Sequence, residues 1–132
     1  MNNRFITASK TNLPDILKQS NTPLKRCIVE LDGKLIKTSD DYYSFVEAAL
    51  SFPRPCEMIV DRYLDWMRDL SWLDYDSFFF VICNSTEFLR DDIPGRDKIF
   101  SDFENVIFPW WEKDVETCCV GGKAKEFVVL LA

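Results

Sequence analysis

The sequence predicts a single α/β domain built on a parallel sheet. Three short, strongly apolar segments occur at residues 27–31, 77–83 and 126–131. A nearly unbroken apolar run of this length is typical of a strand that is covered on both faces. Long stretches with helical periodicity separate the three segments, and parallel strands require such crossover connections. With 132 residues, the chain has the length of one domain.

Three longer helices are predicted between these strands. Thr38 and Asp41 form a capping-box pattern that begins the first helix. The second helix is predicted at about residues 58–70, after two prolines that interrupt the apolar period. The third begins near Arg96, and Pro109 should end or kink it, because proline has no backbone N–H for the helical hydrogen-bond pattern.

Charge divides the chain into a basic beginning and an acidic remainder. Residues 1–26 carry five basic side chains and one acidic side chain, a net charge of +4, and we predict that they form a polar extension outside the domain. Residues 27–132, the predicted domain, carry 11 basic and 21 acidic side chains, a net charge of −10. An acidic surface repels nucleic acid and attracts basic proteins. We therefore expect a basic protein as partner, and neither nucleic acid nor a membrane.

Cysteine and histidine usage limits the chemistry. The chain has five cysteines, no C-x-x-C spacing and no histidine. The lack of histidine excludes Ser-His-Asp and Cys-His catalysis, and no metal site or cofactor is predicted. An odd number of cysteines suits the reducing cytosol. Because the chain also shows no secretory signal pattern and no apolar window long enough to span a bilayer, we expect a cytoplasmic protein.

The second predicted helix carries three aspartates on one face. Asp61, Asp65 and Asp69 follow one another at i,i+4 spacing, and we call them the acidic ridge. Like charges at this spacing destabilise a helix by roughly 0.2–0.5 kcal/mol per pair. Apolar residues on the opposite face would anchor the helix to the core. The pattern therefore indicates a surface for a cationic partner.

Two other interpretations of the ridge stay open. Arg62 and Arg68 each lie three residues from Asp65, so the ridge could be an ordinary solvated face with local charge compensation. Alternatively, Asp61 and Asp65 could act as an acid–base pair or bind Mg²⁺, although nothing else in the sequence indicates a cleft around them.

The order of the motifs resembles the barstar family of intracellular ribonuclease inhibitors. Leu31-Asp32-Gly33 follows the first strand, Phe52-Pro53 follows the first helix, and the pattern D-x-x-x-D-x-x-x-D-L-S-W begins at Asp61. The resemblance extends from Ile28 to the C-terminus and includes the apolar closing strand.

This resemblance implies a three-stranded parallel sheet packed by about four helices, and an inhibitor rather than an enzyme. The second long helix and its preceding loop would enter the active site of a basic ribonuclease or nuclease toxin, with Asp61 and Asp65 in its phosphate pocket. A second possibility is an interaction module whose partner is not a nuclease. The free protein is expected to be a monomer. The predicted partner-binding residues are Asp61, Asp65, Asp69, Glu57, Met58, Arg62 and Arg68.

The loop before the acidic ridge departs from the family pattern Y-x-G-x-N-x-D. Glu57 stands at the glycine position and Ile59 at the asparagine position. Because positive φ angles are costly for a residue with a side chain, we expect the loop to take another shape at Glu57. The altered loop predicts a target that has diverged from the family's usual enzyme.

Overall fold

The computed structural model describes residues 3–7 and 25–132, and these contain one four-stranded sheet. All neighbouring strands are parallel, in the order β1-β4-β3-β2. The α/β class with a parallel sheet is confirmed, but the prediction of three strands was wrong. The strands are β1 (Arg4–Thr7), β2 (Arg26–Asp32), β3 (Ser77–Cys83) and β4 (Glu126–Leu131).

The additional strand, β1, comes from the segment that was predicted to be an extension. It pairs with β4 at the edge of the sheet. Asn3 fixes its start: the side-chain amide donates to the carbonyl oxygens of Phe108 (3.2 Å) and Lys125 (3.1 Å) and accepts from the Phe127 N–H (2.8 Å). The ring of Phe5 packs edge-on against that of Phe108, with the ring centroids 5.2 Å apart. Residues 8–24, the larger part of the predicted extension, lie outside the described residues.

Three helices, rather than about four, occur within the described ranges. The predicted capping box is confirmed, because the Asp41 N–H donates to the Thr38 hydroxyl (3.2 Å) and the Asp41 carboxylate accepts from the Thr38 N–H (3.3 Å). None of these helices is long and apolar enough to cross a membrane. The helices are α1 (Ser39–Ala49), α2 (Val60–Met67) and α3, which begins as Ile93–Asp102, continues through π-helical turns at Phe103–Ile107 and Trp110–Asp114, and ends as Val115–Cys118.

Helix α3 passes through Pro109, so of the two outcomes expected there, an end or a kink, the end is not observed. Pro109 lies between the two π-helical turns. In the first of them the Phe108 N–H donates to the carbonyl of Phe103, five residues earlier. A π-helical turn shifts the hydrogen-bond pattern by one residue, which lets the helix accommodate a proline that has no N–H to donate.

Strand β3 supplies the centre of the core. Adjacent residues of a strand point to opposite faces of the sheet. Phe78 and Phe80 point to the helix-covered face, and Phe79 and Val81 belong to a smaller apolar cluster on the other face. All four are buried. The apolar run therefore marks a strand covered on both sides, as predicted.

Helix α2 is fastened to the core from both sides. The hydroxyls of Tyr42 on α1 and Tyr63 on α2 form a buried hydrogen bond of 2.6 Å. The indole N–H of Trp111 on α3 donates to the carbonyl of Met67, the last residue of α2, at 2.8 Å. Burial raises the pKa of Tyr63 well above its usual value, so this hydroxyl stays neutral. The helix that carries the acidic ridge is thus held firmly in place.

Candidate partner-binding surface

Helix α2 buries one side and exposes its aspartates. Tyr63, Leu64 and Met67 are buried, whereas Asp61 and Asp65 are exposed, one helical turn apart. Asp69 is also exposed, but it follows the end of α2 and does not extend the helix. The helix is shorter than predicted because left-handed backbone conformations precede it in the loop and follow it at Leu70, which has a φ of 51°.

Two arginines, Arg62 on α2 and Arg68 at its C-terminal cap, compensate the ridge only in part. Arg68 Nη2 lies 2.9 Å from Asp65 Oδ1, in an ion pair whose side chains are 38% and 71% exposed. Arg62 pairs not with Asp65 but with Glu57, at 3.2 Å. Asp61 makes no ion pair with any described residue. Exposed ion pairs of this kind contribute about 0–1 kcal/mol, so the carboxylates remain accessible to a partner.

The loop before α2 forms a tight turn from Cys56 to Ile59. The Ile59 N–H donates to the Cys56 carbonyl at 2.9 Å, and the two central residues, Glu57 and Met58, have φ angles of 51° and 64°. The expectation that Glu57 avoids positive φ was therefore wrong. The Glu47 carboxylate accepts from the Cys56 N–H at 2.5 Å and, with the ion pair of Glu57, holds the turn.

This turn exposes an apolar pair beside the ridge. Met58 is 59% exposed and Ile59 is 43% exposed, immediately before the first residue of α2. Exposed apolar side chains next to charges are typical of protein interfaces, where apolar contacts form the centre and charges the rim. The predicted site residue Met58 is thus accessible to a partner.

A groove of about 530 Å³ separates this loop from α2. It brings together four of the seven predicted residues: Glu57, Arg62, Asp65 and Asp69. Asp61, Met58 and Arg68 do not line it. The groove is lined by Arg54, Pro55, Glu57, Arg62, Asp65, Trp66 and Asp69.

Three lining residues were missed from the sequence: Arg54, Pro55 and Trp66. No periodic pattern relates a loop residue such as Arg54 to a helix that begins six positions later. Trp66 is half-buried against Trp72, with ring centroids 5.4 Å apart. Its helical position gave the only available signal, since it adjoins Asp65 and Asp69.

Two findings bear on other chemistries. In the described part of the chain, no three or more His, Cys, Asp or Glu side chains are grouped so that they could hold a metal ion. All five cysteines are free thiols. Burial, followed by the neighbouring Glu47 carboxylate, raises the pKa of the Cys56 thiol to about 11, so this cysteine is not an activated nucleophile.

The fold and this surface define an α/β protein with a firmly held acidic helix beside a strained, exposed loop. A family model described as barstar (barnase inhibitor) matches residues 27–122. Because the match spans well over half of the chain, the protein belongs to the barstar family, whose members are inhibitors rather than enzymes. Strands β1 and β4 lie outside the match. Comparison with curated proteins finds no significant match, and neither does comparison with solved structures.

Proposed function

We propose that the chain is an inhibitor, or immunity protein, that binds a basic ribonuclease toxin and blocks its active site with α2. The observation that carries this proposal is the position of Asp61 and Asp65: both are exposed, one turn apart, on a helix that is fastened to the core. The family description, barnase inhibitor, supports a ribonuclease as the target.

The chemistry of the two carboxylates suits a phosphate mimic. A carboxylate accepts paired hydrogen bonds from an arginine in the same way as two phosphate oxygens do. Successive turns of an α-helix are roughly 5.4 Å apart, so Asp61 and Asp65 can occupy neighbouring anion positions in an enzyme that binds RNA. Because the helix is already ordered, little conformational entropy is lost on binding.

The whole-chain charge favours the same partner. The net charge is −6 at pH 7, and an acidic surface accelerates its encounter with a basic protein at low ionic strength. We further propose that the free protein is a monomer in the cytoplasm. Its five free thiols agree with a reducing compartment.

The proposal predicts that the ridge is required for capture of a ribonuclease. Immobilised wild-type protein should retain an RNA-cleaving activity from a lysate of the source organism, and the Asp61→Ala/Asp65→Ala variant should retain at most a hundredth of it. Removing one side of a buried charge pair costs about 3–5 kcal/mol. The assay is cleavage of a fluorogenic RNA by the eluate.

The matched control is Glu112→Ala/Glu116→Ala, which removes two carboxylates at the same i,i+4 spacing from α3. This variant should capture as much activity as the wild type. Equal capture by the ridge variant and the wild type would contradict the role of the aspartates. If the wild-type protein captures no ribonuclease, the proposed function is contradicted.

A second candidate is an interaction module for a partner that is not a nuclease. The exposure of Met58 and Ile59 on the turn favours it, because this apolar pair needs no cationic partner. In that case Met58→Ala/Ile59→Ala should abolish capture of the partner, while Asp61→Ala/Asp65→Ala should leave it unchanged. The same lysate experiment, read by mass spectrometry, separates the two candidates.

A further inference from the structure

The groove beside α2 carries a positive charge, Arg54, that pairs with no carboxylate in the described part of the chain. Arg54 is exposed and lines the groove together with Asp65 and Asp69. It makes no ion pair or hydrogen bond with any described residue. A cation therefore stands in the same open groove as two of the three aspartates of the ridge.

The other two arginines of this surface are engaged internally. Arg62 pairs with Glu57 at 3.2 Å, and Arg68 pairs with Asp65 at 2.9 Å while its side chain also donates to the Leu64 carbonyl at 3.2 Å. Among the described residues, Arg54 differs from both, because none of them pairs with its guanidinium.

A surface that mimics only phosphate would carry only negative charge, because RNA offers no cation to its enzyme. In contact with phosphate-binding arginines or lysines, Arg54 would be repelled unless the partner also offers an anion close by. Asp and Glu carboxylates are among the side chains that act as general bases, and a base must lie within hydrogen-bond reach of the proton that it abstracts. In an enzyme that cleaves RNA, a carboxylate base would therefore lie beside the cations that hold the phosphate. Such a site presents both signs of charge.

We propose that Arg54 also takes part in recognition. Its guanidinium pairs with a carboxylate in the active site of the target, while Asp65 and Asp69 accept hydrogen bonds from cationic side chains of the same active site. The inference rests on the proposed function and narrows it: the target is a ribonuclease whose active site joins an acidic side chain to basic ones. Five lining residues of mixed sign, Arg54, Arg62, Glu57, Asp65 and Asp69, give the groove the matching charge pattern.

The test compares two charge reversals that change the net charge equally. Arg54→Glu and Lys34→Glu each make the net charge of −6 more negative by two. Lys34 is exposed and lines a different groove, with Lys37 and Arg90. Thermal unfolding is measured first, to check that both variants fold. Binding is measured by surface plasmon resonance against the ribonuclease that the wild-type protein captures.

We expect Lys34→Glu to bind at least as fast as the wild type, because it strengthens the long-range attraction of a basic enzyme. Arg54→Glu should dissociate at least tenfold faster. Equal dissociation rates for the two variants would overturn the inference, since Arg54 would then be an ordinary solvated cation.

The outcome for the ridge separates this inference from the proposed function. If Asp61→Ala/Asp65→Ala weakens binding but Arg54→Glu behaves like Lys34→Glu, only the role of Arg54 fails. If no ribonuclease is captured, both fail.

A variant of the enzyme tests the pairing directly. When the active-site carboxylate of the enzyme is replaced by its amide, Arg54→Gln and the wild-type inhibitor should bind it with equal affinity. A difference in affinity that persists would contradict the pairing.

Discussion

The turn from Cys56 to Ile59 holds two side-chain-bearing residues in left-handed backbone conformations. Each such residue costs roughly 1–2 kcal/mol, and strain of this kind persists only where the surroundings over-determine it. Here the Glu57–Arg62 ion pair and the Glu47 carboxylate, which accepts from the Cys56 N–H, supply the restraint. The consequence is an ordered loop that presents Met58 beside the acidic ridge.

Replacing Met58 by glycine should therefore stabilise the free protein. Glycine adopts a positive φ without steric cost, and the gain is reduced by the greater entropy of glycine in the unfolded chain. We expect the free energy of unfolding in urea to rise by about 0.5–1 kcal/mol. Ser44→Gly, in the middle of α1, is the control and should lower it by about as much. If Met58→Gly lowers the free energy of unfolding as much as Ser44→Gly does, the backbone at Met58 is not strained.

At the scale of elements, the acidic ridge depends on how α2 is fastened. The hydrogen bond between the hydroxyls of Tyr42 and Tyr63 joins α1 to α2 in a fully buried site, and that of Trp111 joins the end of α2 to α3. Buried polar groups left without a partner are costly, so these bonds define one position for the helix. A partner then meets a ridge that is already ordered.

Removing one hydroxyl of the pair should lower the free energy of unfolding at least as much as removing both. Tyr63→Phe leaves the Tyr42 hydroxyl buried without a partner and should lower the free energy of unfolding by about 1–3 kcal/mol. Adding Tyr42→Phe removes the unpaired group, so the double variant should be no less stable than the single one. Urea denaturation measures both.

Tyr75→Phe is the matched control, because Tyr75 is only half-buried and its hydroxyl bonds to no described residue. Its free energy of unfolding should stay within about 0.5 kcal/mol of the wild-type value. If Tyr63→Phe behaves like this control, the hydroxyl pair does not fasten α2.

At the scale of the molecule, regular spacing of apolar and charged residues predicted individual strands and helices. Structure that depends on contacts between distant parts of the chain was missed. The apolar run at 77–83 was sufficient to predict β3. The spacing of the aspartates predicted the exposed positions of Asp61 and Asp65 on α2, but not that the helix ends before Asp69. Strand β1 could not be predicted, because four residues in a polar segment become a strand only by pairing with β4 and through the three hydrogen bonds of Asn3.

The groove could not be predicted for a similar reason. Arg54 lines the same groove as Asp65 and Asp69, and the turn between them has positive φ at Glu57 and Met58 without a glycine to signal it. Local propensity therefore pointed to a different loop shape, and the tertiary contacts of Cys56 and Arg62 prevailed. The family match locates the domain, whereas the charge pattern of this groove emerges only from the folded chain.

The central claim is that the acidic ridge occupies the place of RNA in a ribonuclease active site. The most direct measurement is the association rate of this protein with the captured ribonuclease, with and without a saturating oligonucleotide that the enzyme binds but does not cleave. Mutually exclusive binding predicts that the rate falls in proportion to the fraction of enzyme left free of oligonucleotide. An association rate that is the same at every oligonucleotide concentration would contradict the account.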